Sequence, residues 1–294
     1  MKHIFFLLPL FSTLAFGQYK LALNLQTGSV YAVSIQSNTR FDGSVNGEKT
    51  VVSAMMTGVM RFRVTGATDS GYLFSVSCDS MKFSLKSPLG KMEFSSGDSS
   101  TEDGQVSEIA KKMSGAHFTI MLLKNGAVHR FDHSDTSGMA AMMKHLPMAE
   151  MIKKFLMART SGRTMSRQMM KENFEKYTTV FPDKKVSVND TWGSEISMDT
   201  TGKKKIVTNY QLTGYGNGNG IATIKGHRES GSANADKQQK MKSETESLMT
   251  FNSTTGWIHE GQIRTMITGE MGNHNKSGIN TPFTVVTTTK LTGY

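Results

Sequence analysis

Cysteine is almost absent from this sequence, which has one such residue, Cys78, among 294. A single cysteine cannot form an intramolecular disulfide, so a buried core must hold the fold together. The alternation of Phe74, Val76 and Cys78 places the thiol on the apolar face of a strand. We therefore interpret Cys78 as a small apolar residue of the core and not as a catalytic nucleophile.

Long apolar runs are also absent. The N-terminal run, Ile4 to Phe16, is shorter than the roughly 20 residues that span a bilayer. Lys2 precedes it, and Ala15 and Gly17 stand at the −3 and −1 positions of a cut before Gln18. Residues 1–17 thus read as a secretory signal peptide. We expect an exported protein, periplasmic or secreted in a Gram-negative envelope, without an integral membrane segment after cleavage.

Motifs of known enzymes are missing as well. No Gly-x-Ser-x-Gly elbow or zinc-protease helix appears, and there is no plausible serine nucleophile with a neighbouring base. The segment 214–220, GYGNGNG, lacks the lysine of a phosphate-binding loop and leads into a strand instead of a helix, so we interpret it as a hairpin loop. The sequence predicts no enzyme and no cofactor.

The net charge of +10 is spread thinly along the chain and is densest over residues 133–182. A nucleic-acid-binding protein would place basic and aromatic residues in one stripe, which this sequence does not do. Attraction to an anionic envelope surface is a better explanation of the charge, and a solvated helix face is a better explanation still.

Alternating β-branched, aromatic and polar residues predict strands over 18–132, which includes one short helix near 105–113, and again over 183–294. Turns at 26–28, at 67–71 and at Asn125-Gly126 predict hairpins. The two strand-rich parts have similar lengths and similar turns, which suggests an internal duplication. Residues 18–294 are expected to form one structural unit.

Residues 133–182 form a methionine-rich insert with a helical period. Its apolar stripe has the spacing i, i+3, i+4, i+7 and i+8 and contains Met148, Met151, Ile152, Phe155 and Leu156. The predicted class is therefore α+β, mainly antiparallel, with a curved sheet or half-barrel and this helical segment packed on one face. The stripe fits either a lid over a ligand cavity or ordinary core packing.

A soft-metal site is the competing interpretation of the insert, because thioether and imidazole ligands suit Cu(I). Its candidate ligands are Met142, Met143, His145 and Met148, with His129 and His133 nearby. Methionine is frequent throughout the chain, which has 22 of them, so the local cluster needs no metal to explain it. We predict no metal.

The stretch FPDKKVSVNDTW, followed by hairpins with a TGW turn, resembles uncharacterised secreted and lipoprotein families of the Bacteroidota. The resemblance covers mainly residues 170–294. By architecture such families are similar to half-barrel carriers of lipoprotein sorting, which implies a curved sheet over an apolar cavity. We expect a non-catalytic carrier or scavenger of a lipid, an acyl chain or a lipoprotein tail. The alternatives are an envelope structural module and a copper-handling protein.

Overall fold

A computed structural model describes most of the strand-rich parts of the chain. The described residues are 17–45, 48–96, 117–133, 174, 181–197, 205–216, 220–233, 240–272 and 280–294. Among them only Phe174 has helical backbone. No helix within these ranges has the length and apolar character needed to cross a membrane.

The described residues form twelve strands rich in β-branched and aromatic residues, which favour the pleated backbone. The strands are β1 (Val30–Val45), β2 (Glu48–Ala67), β3 (Gly71–Ser87), β4 (Gly90–Ser95), β5 (His117–Leu123), β6 (Val128–His133), β7 (Thr191–Ser197), β8 (Lys205–Tyr215), β9 (Ile221–Ala233), β10 (Lys240–Asn252), β11 (Ile258–Gly272) and β12 (Asn280–Gly293).

All twelve strands belong to one antiparallel sheet of order β6-β5-β3-β2-β1-β12-β11-β10-β9-β8-β7. The short strand β4 pairs with the second half of β3, while β5 pairs with its first half. The first and last strands pair with each other, from Val33 opposite Gly293 to Gly43 opposite Phe283. Both strand-rich parts therefore contribute to the same sheet, which is open between β6 and β7 among the described residues.

The sheet has one apolar face, which we call the inner face. Along β8, for example, Ile206, Thr208, Tyr210 and Leu212 are buried, whereas Val207 and Asn209 between them are exposed. Side chains alternate between the two faces of a strand, so the registers assign each residue to one face. The opposite, outer face carries most of the charged residues.

Residues 17–28 are not a strand of the sheet but cross one end of it, which we call the covered end. There the amide of Leu23 donates to the carbonyl of Lys124, in the β5–β6 turn, at 2.7 Å, and the amide of Asn24 donates to Thr255, in the β10–β11 turn, at 2.8 Å. In a flat sheet β5 and β11 would lie five strand spacings apart, about 24 Å. Two adjacent residues can reach both turns only because the sheet is strongly curved.

The core lies at the covered end, on the concave side of this curvature. Leu21, Leu23 and Leu25 of the crossing segment are buried against residues from both halves of the sheet. Phe62 and Phe74 of β2 and β3 have ring centroids 5.2 Å and 6.0 Å from Trp257 in the β10–β11 turn. Aromatic contacts across the curve therefore hold the two halves together.

The predicted α+β class was wrong: where the structure describes the chain, it is nearly all antiparallel β, in one open curved sheet. The short helix over 105–113 and the helical insert over 133–182 fall almost entirely outside the described residues. The predicted curvature is present, as are the hairpins at 67–71 and at Asn125-Gly126.

The prediction of a hairpin at 26–28 was wrong, because the turn is present but its first strand is not. The turn exists, since Ser29 donates to the carbonyl of Gln26 and Gly28 has a φ of 90°. Residues 20–25 nevertheless do not pair with β1, because their alternate leucines are buried at the covered end. The internal duplication stays a prediction, since any antiparallel meander would give this strand order.

Candidate functional site

The inner face changes character with distance from the covered end. Close packing at the covered end leaves Phe74, Val76 and Ile120 with no exposed surface. The indole nitrogen of Trp257 is buried there without a hydrogen-bond acceptor among the described residues. Further along the strands, Phe41, Val52, Leu85 and Phe283 are also buried, but many of the inner-face side chains between them are only partly buried. These partly buried side chains form the candidate binding surface.

A group of soft apolar side chains, which we call the methionine patch, occupies the inner face of β2, β3 and β4. The registers place its members opposite or diagonal to one another: Met56 opposite Phe83, Met60 opposite Cys78, and Met81 and Met92 on either side of the Phe83–Phe94 pair. Phe94 is buried, with its ring centroid 5.3 Å from that of Phe83. Met56, Met60, Met81, Phe83 and Met92 are each half-buried. Flexible thioether side chains adapt to ligands of variable shape.

The other strands carry a row of polar residues at one register, which we call the polar row. Its members are successive cross-strand partners from β7 to β1: Ser194, Thr208, Arg228, Thr245, Thr265, Thr287 and Thr39. The row reaches β2 at Ala54, two residues from Met56 of the methionine patch.

Threonine hydroxyls in the polar row bond one another. The Oγ1 atoms of Thr245 and Thr265 are 3.1 Å apart, and those of Thr39 and Thr287 are 3.0 Å apart. Each pair uses one of its two hydroxyl hydrogens internally, so one hydrogen can still be donated and the methyl groups are left to contact other molecules. The row therefore accepts apolar contact better than its composition suggests.

Arg228 is the exceptional member of the polar row. Apart from Glu48, which is exposed at the β1–β2 turn, Arg228 is the one charged residue that the registers place on the inner face among side chains the structure describes. It is half-buried between Thr208 and Thr245, and Thr208 has only 9% of its surface exposed. A guanidinium in such a place favours an anionic partner.

Cys78 lies on the inner face next to the methionine patch, as its alternation with Phe74 and Val76 predicted. Burial raises the pKa of its thiol, and the neighbouring carboxylate of Asp79 raises it further. A thiol of this kind is a weak nucleophile near neutral pH. Its position makes it a natural reporter for anything that covers the patch.

At the far end, where β1 turns into β2, the sheet has a shallow cleft of about 460 Å³ beside Gly43, Pro282 and Phe283. Asp42 and Lys49 also line it. Phe283 also packs against Phe41 on the inner face, with ring centroids 6.0 Å apart.

The predicted lid residues Met148, Met151, Ile152, Phe155 and Leu156 lie outside the described residues, as do the metal candidates Met142, Met143 and His145. His129 is exposed on β6, and His133 ends that strand. The structure thus does not test the lid or the copper hypothesis.

One group of possible metal ligands occurs among the described residues, and no motif in the sequence indicated it. His227, Glu244 and Glu246 place ligand atoms within 4.8 Å of one another on the outer face of β9 and β10. His227 also lies 3.6 Å from Glu229, which in turn pairs with Lys242 at 3.8 Å. Cross-strand pairing of exposed charges accounts for this arrangement.

No motif in the sequence indicated that Arg228 or the methionine patch would form part of a binding surface. Their signal was present, because Ile224, Gly226 and Arg228 alternate along one strand, as do Met56, Gly58 and Met60. Alternation shows which residues share a face. It does not show that strands distant in sequence join into one surface.

Residues 69–258 match the sequence pattern of a family of unknown function, DUF6263. The chain belongs to this family. The predicted resemblance to an uncharacterised family is confirmed by this match. An origin in the Bacteroidota stays a prediction. No curated protein matches the sequence.

Several solved structures share part of the chain path. Lipovitellin, in a structure concerned with lipid–protein interactions, is 9% identical with a TM-score of 0.49, over 92% of this chain and 25% of that chain. An exported protein of Bacteroides fragilis with a YmcC-like fold is 8% identical with a TM-score of 0.14, over 91% and 97% of the two chains. The chain spans about a quarter of lipovitellin. Likenesses this slight carry no functional argument.

Proposed function

We propose that this protein is a non-catalytic carrier or scavenger that holds an apolar or amphiphilic ligand, such as a lipid or acyl chain, against its inner face. The signal peptide predicted over residues 1–17 supports action after export, in the cell envelope. The observation that carries the proposal is the methionine patch. A concave surface of adaptable apolar side chains, only half-buried, is suited to ligands of variable shape.

The curvature of the sheet supports this proposal. Apolar side chains on a concave face contact a bound chain from several strands at once, which buries more ligand surface than a flat face would. Each fully buried methylene group contributes about 0.8 kcal/mol, so a long alkyl chain could bind tightly through this surface alone. No charged group is needed for this contribution.

Cys78 provides a direct test in the natural sequence, since it is the single cysteine and lies beside the patch. Oleyl alcohol, delivered to delipidated protein, should slow alkylation of Cys78 by a maleimide. The control is a variant with Cys78→Ser and Ser75→Cys, because Ser75 is exposed on the outer face of the same strand. Alkylation of that control should not respond to the alcohol.

A pair of adjacent methionines gives a second test. Met56→Gln places an amide in the patch and should weaken binding of oleyl alcohol, whereas Met55→Gln should not, since Met55 is on the outer face and 44% exposed. Equal effects of both variants, or no binding of the alcohol by the natural protein, would contradict the proposal. The envelope structural module would then be the better account.

A further inference from the structure

Arg228 has a position that apolar binding alone does not explain. The middle of β9 is flanked by Thr245 on β10 and by Thr208 on β8, which is nearly buried. A charge on the inner face of a sheet loses hydration, and this is unfavourable unless anionic or polar groups compensate for it. Arg228 makes at least one such interaction within the protein.

A guanidinium has five N–H donors in a planar fork, and this geometry matches the oxygens of a carboxylate or phosphate. One of these donors can be engaged within the protein while others remain able to bind a ligand. The Oγ1 atoms of Thr208 and Thr245 are carried on the two neighbouring strands. Together, the three side chains can bind an oxyanion through charge and hydroxyl donors.

The polar row connects this position to the methionine patch. From Arg228 the row runs along Thr245 and Thr265, whose hydroxyls bond each other, to Thr287. Ile263 and Ile267 on β11 lie on the two sides of the row, two residues from Thr265 in either direction. A chain that followed the row would contact methyl groups beneath it and apolar side chains beside it.

The distances suit a single long alkyl chain. Three to five strand spacings separate Arg228 from Thr287 and from the patch on β2, which is about 14–24 Å. An acyl chain that fills half of a hydrocarbon core about 30 Å thick is about 15 Å long, so from Arg228 it reaches Thr287 and extends toward the patch.

We propose that Arg228 binds the oxyanion head of a single-chain anionic amphiphile whose tail lies along the polar row toward the methionine patch. This inference rests on the proposed function and specifies the ligand class of the same surface. The long-chain carboxylate is the ligand we expect, and the test below distinguishes it from a phosphate monoester and from a free anion.

The experiment measures the affinity of delipidated protein for oleate, oleyl phosphate and the neutral oleyl alcohol, by displacement of a fluorescent fatty acid. Arg228→Gln should lower the affinity for oleate about 10- to 100-fold, since a charge-assisted pair is lost. Its affinity for oleyl alcohol should stay within about threefold of the natural value, because apolar contacts do not need the charge. The control is Arg264→Gln, which removes an exposed arginine from the outer face of β11 and should change neither affinity.

If Arg228→Gln does not fold stably, Arg228→Lys serves as a second variant for the same affinity measurement. Lysine retains the charge but not the fork, so the affinity for oleate should be intermediate. Thr245→Val next to it should lower the affinity for oleate and not for the alcohol. Inorganic phosphate and acetate at millimolar concentration should not displace oleate.

Three outcomes would overturn the inference. If Arg228→Gln and Arg228→Lys leave oleate binding unchanged, or weaken oleate and oleyl alcohol equally, Arg228 does not recognise the head group. If inorganic phosphate displaces oleate, the position is a site for free anions. In these cases oleyl alcohol still binds and the proposed function stands. If none of the three amphiphiles binds the natural protein, both proposals fail. Tighter binding of oleyl phosphate than of oleate would retain the role of Arg228 but replace the carboxylate with a phosphate head.

Discussion

Gly256 in the β10–β11 turn offers the sharpest test of how residues 17–28 cover the end of the sheet. A Cβ atom at this position would lie 2.3 Å from the carbonyl oxygen of Ala22 and 3.0 Å from the Cα of Leu23. Both are backbone atoms, so no rotation of a side chain could relieve the overlap. Gly256→Ala must therefore displace the crossing segment or the turn.

The matched control is Gly28→Ala. Both glycines have positive φ, 69° at Gly256 and 90° at Gly28, but a Cβ at Gly28 would meet nothing within 4 Å. Each alanine adds conformational strain of about 1–2 kcal/mol. The difference between the two variants isolates the overlap with residues 22 and 23.

That difference follows from what the crossing segment would lose. The amides of Leu23 and Asn24 each make a hydrogen bond at the covered end, worth about 0.5–1.5 kcal/mol net. Displacing one of the three buried leucines would lose a further 1.5–3 kcal/mol, roughly. We therefore expect Gly256→Ala to lower the free energy of unfolding by about 2.5–6 kcal/mol more than Gly28→Ala does.

The assay is equilibrium unfolding in urea, followed by the fluorescence of Trp192 and Trp257. Trp257 adjoins Gly256 and reports directly on the covered end. A shift of the midpoint without a change of slope would indicate an altered stability in one cooperative transition. Stabilities of the two variants within about 0.5 kcal/mol of each other, near the error of the method, would refute the reasoning.

Three further predictions concern single groups of the inner face. Trp257→Phe should change the free energy of unfolding by less than about 1.5 kcal/mol, because the loss of packing is offset by removal of an N–H that has no acceptor among the described residues. Phe74→Ala only removes packing and should lower the free energy of unfolding by about 3–5 kcal/mol. Equal losses in the two variants would contradict this prediction. Thr39→Val or Thr287→Val alone should destabilise the protein more than the double change does, because only the double change leaves no hydroxyl unpaired. Additive effects in a double-mutant cycle would show that the 3.0 Å contact between the two hydroxyls contributes nothing to stability. Because burial raises the pKa of the Cys78 thiol, alkylation of the folded protein should accelerate at a higher pH than alkylation of the urea-unfolded chain. The unfolded chain releases the thiol proton first, so the free energy of unfolding should fall as the pH rises above the ordinary pKa of a thiol. Identical pH profiles of alkylation would count against burial of the thiol.

Local patterns in the sequence determined much of the sheet. Alternating apolar residues and glycine-containing turns located the hairpins at 67–71 and 125–126, and the same alternation placed Cys78 on the apolar face. These features depend on side-chain period and on turn geometry, both of which act within a few residues. They could therefore be predicted without knowledge of distant contacts.

Only the tertiary structure decided which distant residues meet. Leu21, Leu23 and Leu25 alternate as a strand would, yet they lie across the covered end, because the curved sheet offers them a concave apolar surface instead of a pairing edge. The α+β prediction gave weight to helical patterns at 105–113 and 133–182, whereas the described residues form strands that join in one sheet. Arg228 illustrates the same limit, since its position in a row of threonines exists only through six successive strand registers. Period fixes the face of each side chain, but registers between strands far apart in sequence determine its neighbours.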